Sequence, residues 1–173
     1  METLKLTKGQ MLHELQDILD TFVYEFERMP AEKINSMPFA GSWTAAQVAE
    51  HLILSANAFV GLMQGPTQDT QRPPDALVDE LRTILGNMEI KMQSPDFIWP
   101  AENEYVKNEQ LNKLQKVTEL LFNAAATLDL DKTCTGFELP QMGHITRRES
   151  VAFITYHTRR HTHQLKNIKK ALV

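Results

Sequence analysis

Apolar residues recur along this chain at steps of three and four, the period of an amphipathic helix, and five segments carry the pattern. Met11, Leu15, Ile18, Phe22 and Phe26 share one face of a first helix, predicted over about Lys8 to Arg28 and stopped ahead of Pro30. After a loop with Pro38 and Gly41, Ser42 or Thr44 supplies the N-cap of a second helix reaching about Met63. Its stripe is Ala45, Val48, Ala49, Leu52, Ala56, Phe59 and Met63, and Gly65-Pro66 ends it. A polar loop from Thr67 to Pro74 leads into a shorter helix over Asp75 to about Lys91, and Ser94 to Pro100 is a further break. Glu102 to about Leu128 reads as a long helix with Leu111, Leu114, Leu121, Phe122, Ala125 and Leu128 inward. Asp129 to Gly143 is loop. Thr146 then caps a last helix to about Ala171, with Glu149 at the spacing of a capping box.

No run of five or more residues alternates, so no strand is predicted and the fold class is all-α. Four helices of about 20 residues have the dimensions of a four-helix bundle, with one short extra helix in a long connection. The length of 173 residues fits a single helical domain over residues 1–173. The start, Met-Glu-Thr-Leu-Lys-Leu-Thr-Lys, lacks a signal-peptide pattern, and no stretch approaches the ~18 apolar residues of a membrane span. Cys134 is the single cysteine, so no internal disulfide forms, which suits a reducing cytoplasm. A net charge of −4 and the lack of a helix-turn-helix pattern argue against nucleic-acid binding. The charge is uneven: from Arg147 onward only Glu149 opposes Arg147, Arg148, Arg159, Arg160, Lys166, Lys169 and Lys170. That surface meets acidic neighbours or water, or forms an anion-binding rim.

The last helix carries the sharpest local signal. Val151, Ile154, Thr158, His161, Leu165, Ile168 and Leu172 form a core-facing seam that is aliphatic at its ends and polar in its middle. A polar group in a core stripe needs a partner. His157 lies one turn before His161 on the same face, an arrangement that can chelate a metal ion. Zinc metalloproteases share the spacing but place a glutamate after the first histidine; here that position is Thr158, which excludes them. A third ligand would have to come from His13, His51, His144 or His163. His13 and His163 read as surface residues and His144 as a loop residue. His51 falls at the edge of the second helix's stripe, either a boundary histidine half in water or a ligand reaching across a groove.

Two blocks resemble a known family. Gly41-Ser42-Trp43-Thr44-Ala45-Ala46-Gln47-Val48-Ala49-Glu50-His51-Leu52 resembles the segment that opens the second helix of DinB-like proteins. Gly143-His144-Ile145-Thr146, followed by Phe153 through His157, Arg160-His161 and Gln164-Leu165, resembles the last helix of that family. The resemblance implies a four-helix bundle connected up-down-down-up, frequent homodimers, and a divalent metal held by three histidines, which by position are His51, His157 and His161. Many relatives read His-Pro-x-x-Gly before the last helix; here Leu139 stands in place of that histidine.

Three imidazoles suit zinc, nickel, iron or cobalt, and three protein ligands leave coordination positions open, as at catalytic sites. The resemblance implies a small-molecule enzyme. One class is a transferase or isomerase using a low-molecular-weight thiol such as bacillithiol or mycothiol; the other is a metal-dependent hydrolase. For a thiol cofactor, Arg159, Arg160 and Arg147 are candidate anion contacts. Trp43 packs at the start of the second helix or lines a site mouth, and Gln164 is placed to orient His161. No carboxylate stands out as a general base, because Glu50 points about 100° away from His51 around the helix. The competing reading is a non-catalytic binding or stress-associated bundle with a vestigial histidine site.

Overall fold

The computed structural model describes residues 5–173; residues 1–4, where the signal-peptide reading begins, lie outside it. Five helices follow one another: α1 (Lys8–Glu27), α2 (Ala45–Gln64), α3 (Val78–Gly86), α4 (Lys107–Thr127) and α5 (Arg147–Leu172). Three of the four long helices start in a capping box, formed by Thr7 with Gln10, Thr44 with Gln47, and Thr146 with Glu149. In each, the threonine hydroxyl accepts from a first-turn N–H and the longer side chain accepts from the threonine N–H, satisfying donors that a helix start leaves free.

Contacts near the helix ends fix the connectivity. Arg148 at the start of α5 meets Met11 at the start of α1 (Nη1–Sδ 3.5 Å), and Lys169 reaches Glu25 near the ends of both (3.4 Å), so α1 and α5 are parallel. Arg147 Nε donates to the Met63 carbonyl at 2.7 Å, which sets the start of α5 against the end of α2. Gln110 Nε2 donates to the Ala46 carbonyl at 2.8 Å, and Lys107 Nζ to the Glu27 carbonyl at 2.6 Å. The start of α4 therefore sits beside the start of α2 and the end of α1. The bundle is connected up-down-down-up, as the resemblance implies, with α3 in the crossover and packed on α5.

The core runs along the bundle axis through Leu15, Phe22, Phe26, Leu52, Leu114, Leu121 and Leu165, all essentially solvent-free. Burying each such side chain contributes about 1.5–3 kcal/mol. The helices differ from the expected stripes in register and length: α4 begins at Lys107 and not near Glu102, and it buries Val117 but not Phe122. On α1, Leu19 is buried and Ile18 is not, because at about 100° per residue Leu19 closes one side of the arc spanned by Met11, Leu15, Phe22 and Phe26 while Ile18 falls outside its other edge. The third helix is shorter than expected, since Asn87 already has an extended backbone (ψ 99°) and only Leu81 and Leu85 are buried.

Strands do occur, contrary to expectation. β1 (Thr67–Gln68) pairs antiparallel with β2 (Thr133–Cys134), Thr67 opposite Cys134. Two-residue strands are too short to show alternation, so periodicity does not reveal them. They tie together the connections after α2 and after α4. A buried ion pair reinforces that end: Glu149 takes Arg72 in two bonds of 2.5 and 2.7 Å and also accepts from the N–H groups of Leu77 and Thr146, both at 2.9 Å. No helix among the described residues is long and apolar enough to cross a membrane.

Candidate metal centre

Buried polar residues gather where α2 faces α5. His51 on α2 and His157 and His161 on α5 are all buried, at 1%, 7% and 8% exposure. Residue 51 is therefore an interior residue and not a boundary one. Helix α2 is packed against α4 and α5, and Trp43 lies over the His51 ring. His157 Nε2 lies 3.1 Å from His51 Nε2 and 3.1 Å from His161 Nε2. One ligand atom from each ring can be chosen so that all three fall within 4.8 Å of one another.

The outer nitrogens determine what the inner ones can do. The Ile98 carbonyl lies 2.8 Å from His51 Nδ1 and, being only an acceptor, requires a proton there. The Gln164 Oε1 does the same for His161 Nδ1 at 2.8 Å. In the neutral rings, Nε2 of both His51 and His161 is then a bare lone pair. His157 has one N–H at most and two acceptors competing for it, and its Nδ1 is buried without a partner. Protonation does not relieve the conflict easily. Burial pushes His161 down to about 3 and His157 well below the ordinary histidine range, with the neighbouring rings adding to both; burial also lowers His51, partly offset by the Ile98 carbonyl. With the His157 proton on Nδ1, the three neutral imidazoles would each offer an Nε2 lone pair, a donor set that suits a divalent transition ion. Their 3.1 Å spacings are close to the roughly 3.3 Å edge of a tetrahedron with zinc–nitrogen bonds of about 2.0–2.1 Å.

The remaining side chains hold these rings in place. Trp43, immediately before the α2 N-cap, lies 5.0 Å from the His51 ring, stacks over His161 at 6.4 Å and meets Trp99 edge-on at 5.2 Å. Phe153, one turn before His157, stacks on it at 5.6 Å. The neighbouring polar residue of the seam, Thr158, satisfies itself by donating to the Ile154 carbonyl at 2.7 Å.

All three histidines open onto a cavity of about 1040 Å³ between α2, α5 and the connections around residues 85–99 and 136–140. Its walls include Phe39, Trp43, Phe59, Phe97, Trp99, Phe137 and Phe153. Leu139, where the resemblance implies a histidine, lines the same space with an aliphatic side chain. Trp99 and the Ile98 carbonyl were not legible as site elements, since the sequence marks them only as a break between helices.

The other expected candidates are distributed unevenly. Arg160 lines the cavity and donates to the carbonyls of Asn87 (2.6 Å) and Ile90. Arg159 is exposed and lies over the Tyr156 ring at 5.4 Å, outside the cavity lining. Arg147 bonds the Met63 and Asp129 carbonyls at the far end of α5. Much of the basic surface of α5 meets acidic neighbours, Arg148 with Asp131 (2.8 Å) and Lys166 and Lys169 with Glu25 (3.8 and 3.4 Å). His13 and His144 pair with Asp17 and Glu138, both at 3.3 Å, while the exposed His163 lies at the cavity's outer edge. Glu50 is not part of the cavity lining.

Known proteins share this arrangement of helices. YfiT from Bacillus subtilis, described as a probable metal-dependent hydrolase with an unusual four-helix bundle topology, superposes with a TM-score of 0.59 at 15% identity, over 98% of this chain and 91% of that one. At that identity the likeness is one of fold. In sequence, the chain is 24% identical to the Bacillus subtilis protein YuaE over 148 residues, covering 86% of this chain and 90% of YuaE. It is 26% identical to a Bacillus cereus protein named "Putative metal-dependent hydrolase", with 99% of each chain covered. The family model described as DinB superfamily matches residues 14–165. Because that match runs from α1 into α5 and takes in all three clustered histidines, the chain belongs to the DinB superfamily.

Proposed function

We propose that this protein is a metal-dependent enzyme acting on a small molecule in the aromatic cavity, with His51, His157 and His161 as the ligands of a divalent ion such as zinc, nickel or iron. The observation that carries the reading is the convergence of three buried imidazoles whose inward nitrogens have more lone pairs than protons to share. The hydrolase names of its relatives agree with it. A divalent ion held this way supplies Lewis acidity and lowers the pKa of a water or thiol that reaches its open side. The protein's own groups prepare that site. The Ile98 carbonyl and Gln164 keep the outer protons on His51 and His161 and fix their ring planes, while Phe153 fixes His157 by stacking. Trp43 packs against the His51 and His161 rings and is itself met edge-on by Trp99.

Among the described residues no aspartate or glutamate lines the cavity. Hydrolysis assisted by a carboxylate base has no base here, and this favours a second reading, in which a low-molecular-weight thiol is the nucleophile. Elemental analysis of protein purified without added metal tests the common premise. A stoichiometric transition metal in the wild type, lost in His157→Ala with helical content kept, is the expected result. No metal at purification and none taken up on titration would refute it. Assay of the loaded protein with an activated ester, and with a thiol plus an alkylating electrophile, then separates hydrolysis from thiol transfer.

A further inference from the structure

We infer that the cavity selects an organic anion with a bulky apolar, ring-containing body; this rests on the reading of the cavity as the substrate site. Two observations combine. The first is shape and surface: about 1040 Å³ lined by seven phenylalanine and tryptophan side chains is far more room than a small polar metabolite fills, and ring faces favour flat apolar groups. The second is charge. The lining holds Arg160 and the exposed Lys91 as well as the histidines and, among the described residues, no carboxylate. The acids adjacent in sequence to lining residues, Glu50, Glu89, Asp96 and Glu138, all lie outside the lining, and Glu138 is engaged by His144 at 3.3 Å.

Arg160 is the informative residue. Neither it nor Lys91 takes part in an ion pair among the described residues. The Arg160 guanidinium is held by two neutral carbonyls, of Asn87 and Ile90, so it is positioned on the cavity wall with its charge uncompensated. A divalent ion on three neutral ligands would add two further positive charges to the same space. An anionic group on the ligand supplies the missing negative charge at the polar end, and the aromatic walls take the remainder.

The chain's two tryptophans, Trp43 and Trp99, both line the cavity, so their fluorescence reports its occupancy directly. The test titrates two dyes of one skeleton, 8-anilinonaphthalene-1-sulfonate and the neutral N-phenyl-1-naphthylamine, into zinc-loaded and metal-free protein. Metal content is measured on the same samples. The sulfonate is expected to quench the tryptophans with at least about tenfold higher affinity than its neutral analogue. Arg160→Gln should remove most of that preference, and Arg160→Lys should keep most of it. Equal or tighter binding of the neutral dye, or no quenching by either, would overturn the inference. So would equal losses in the two Arg160 variants, which would assign the residue to loop positioning. A preference that persists in protein unable to hold zinc would sink the metal reading and support this one. Stoichiometric zinc without the preference would do the reverse.

Discussion

Lowering the pH should destabilise the metal-free protein through His157 and His161, by an amount that follows from their burial. Both rings sit below the ordinary value of 6.5 in the folded protein, His161 at about 3 and His157 well down, because the interior disfavours the charged form. The unfolded chain therefore binds more protons than the folded one whenever the pH is below about 6.5, and stability falls as the pH drops through that range until the folded rings themselves titrate. One pH unit is worth about 1.4 kcal/mol per ring, so between pH 7.5 and 5.5 the two rings together cost about 3 kcal/mol. Urea denaturation of chelator-treated protein at the two pH values measures the loss. The same experiment on the double variant His157→Gln, His161→Gln subtracts every other titrating group. The wild type should lose about 3 kcal/mol more than the variant. Equal pH dependence in the two would show that these imidazoles titrate as they do in water, and the buried, lone-pair-rich cluster would have to be abandoned.

Three further outcomes follow from other contacts. Glu149→Gln leaves Arg72 without its carboxylate at a buried site; since the Arg72 side chain is 34% exposed and can be rehydrated, the loss in urea denaturation should be near the low end of the range for broken buried pairs, about 3 kcal/mol. Thr146→Ala removes both the N-cap of α5 and the bond its hydroxyl donates to the Pro74 carbonyl at 2.6 Å, and should cost about 1–2 kcal/mol by the same assay. Gln164→Ala frees the outer proton of His161 and should weaken zinc binding about 10- to 100-fold in a competition titration, with little change in the helical circular-dichroism signal.

The bundle was legible because its signals are local. The threonine caps at 44 and 146 and the seam through Val151, Ile154, Leu165 and Ile168 depend on neighbours within two turns, and each falls where the pattern puts it. The histidine pair on α5 was legible for the same reason. His51 was not, on periodicity alone. Its ring is met by Trp43 and by the Ile98 carbonyl, and the latter belongs to a connection that no repeat marks. Only the resemblance singled it out. The cavity was hidden for a related cause: much of its wall is made by residues 85–99 and 136–140, whose placement depends on long-range contacts such as the β1–β2 pair and the Arg160 bonds to Asn87 and Ile90.

Crystals of the purified protein, measured on both sides of the absorption edge of the metal found by X-ray fluorescence, offer the most direct check. One anomalous peak about 2 Å from each of the three Nε2 atoms is the predicted result. Fully ordered imidazoles with no anomalous density between them, after soaking in zinc, nickel and iron in turn, would contradict it.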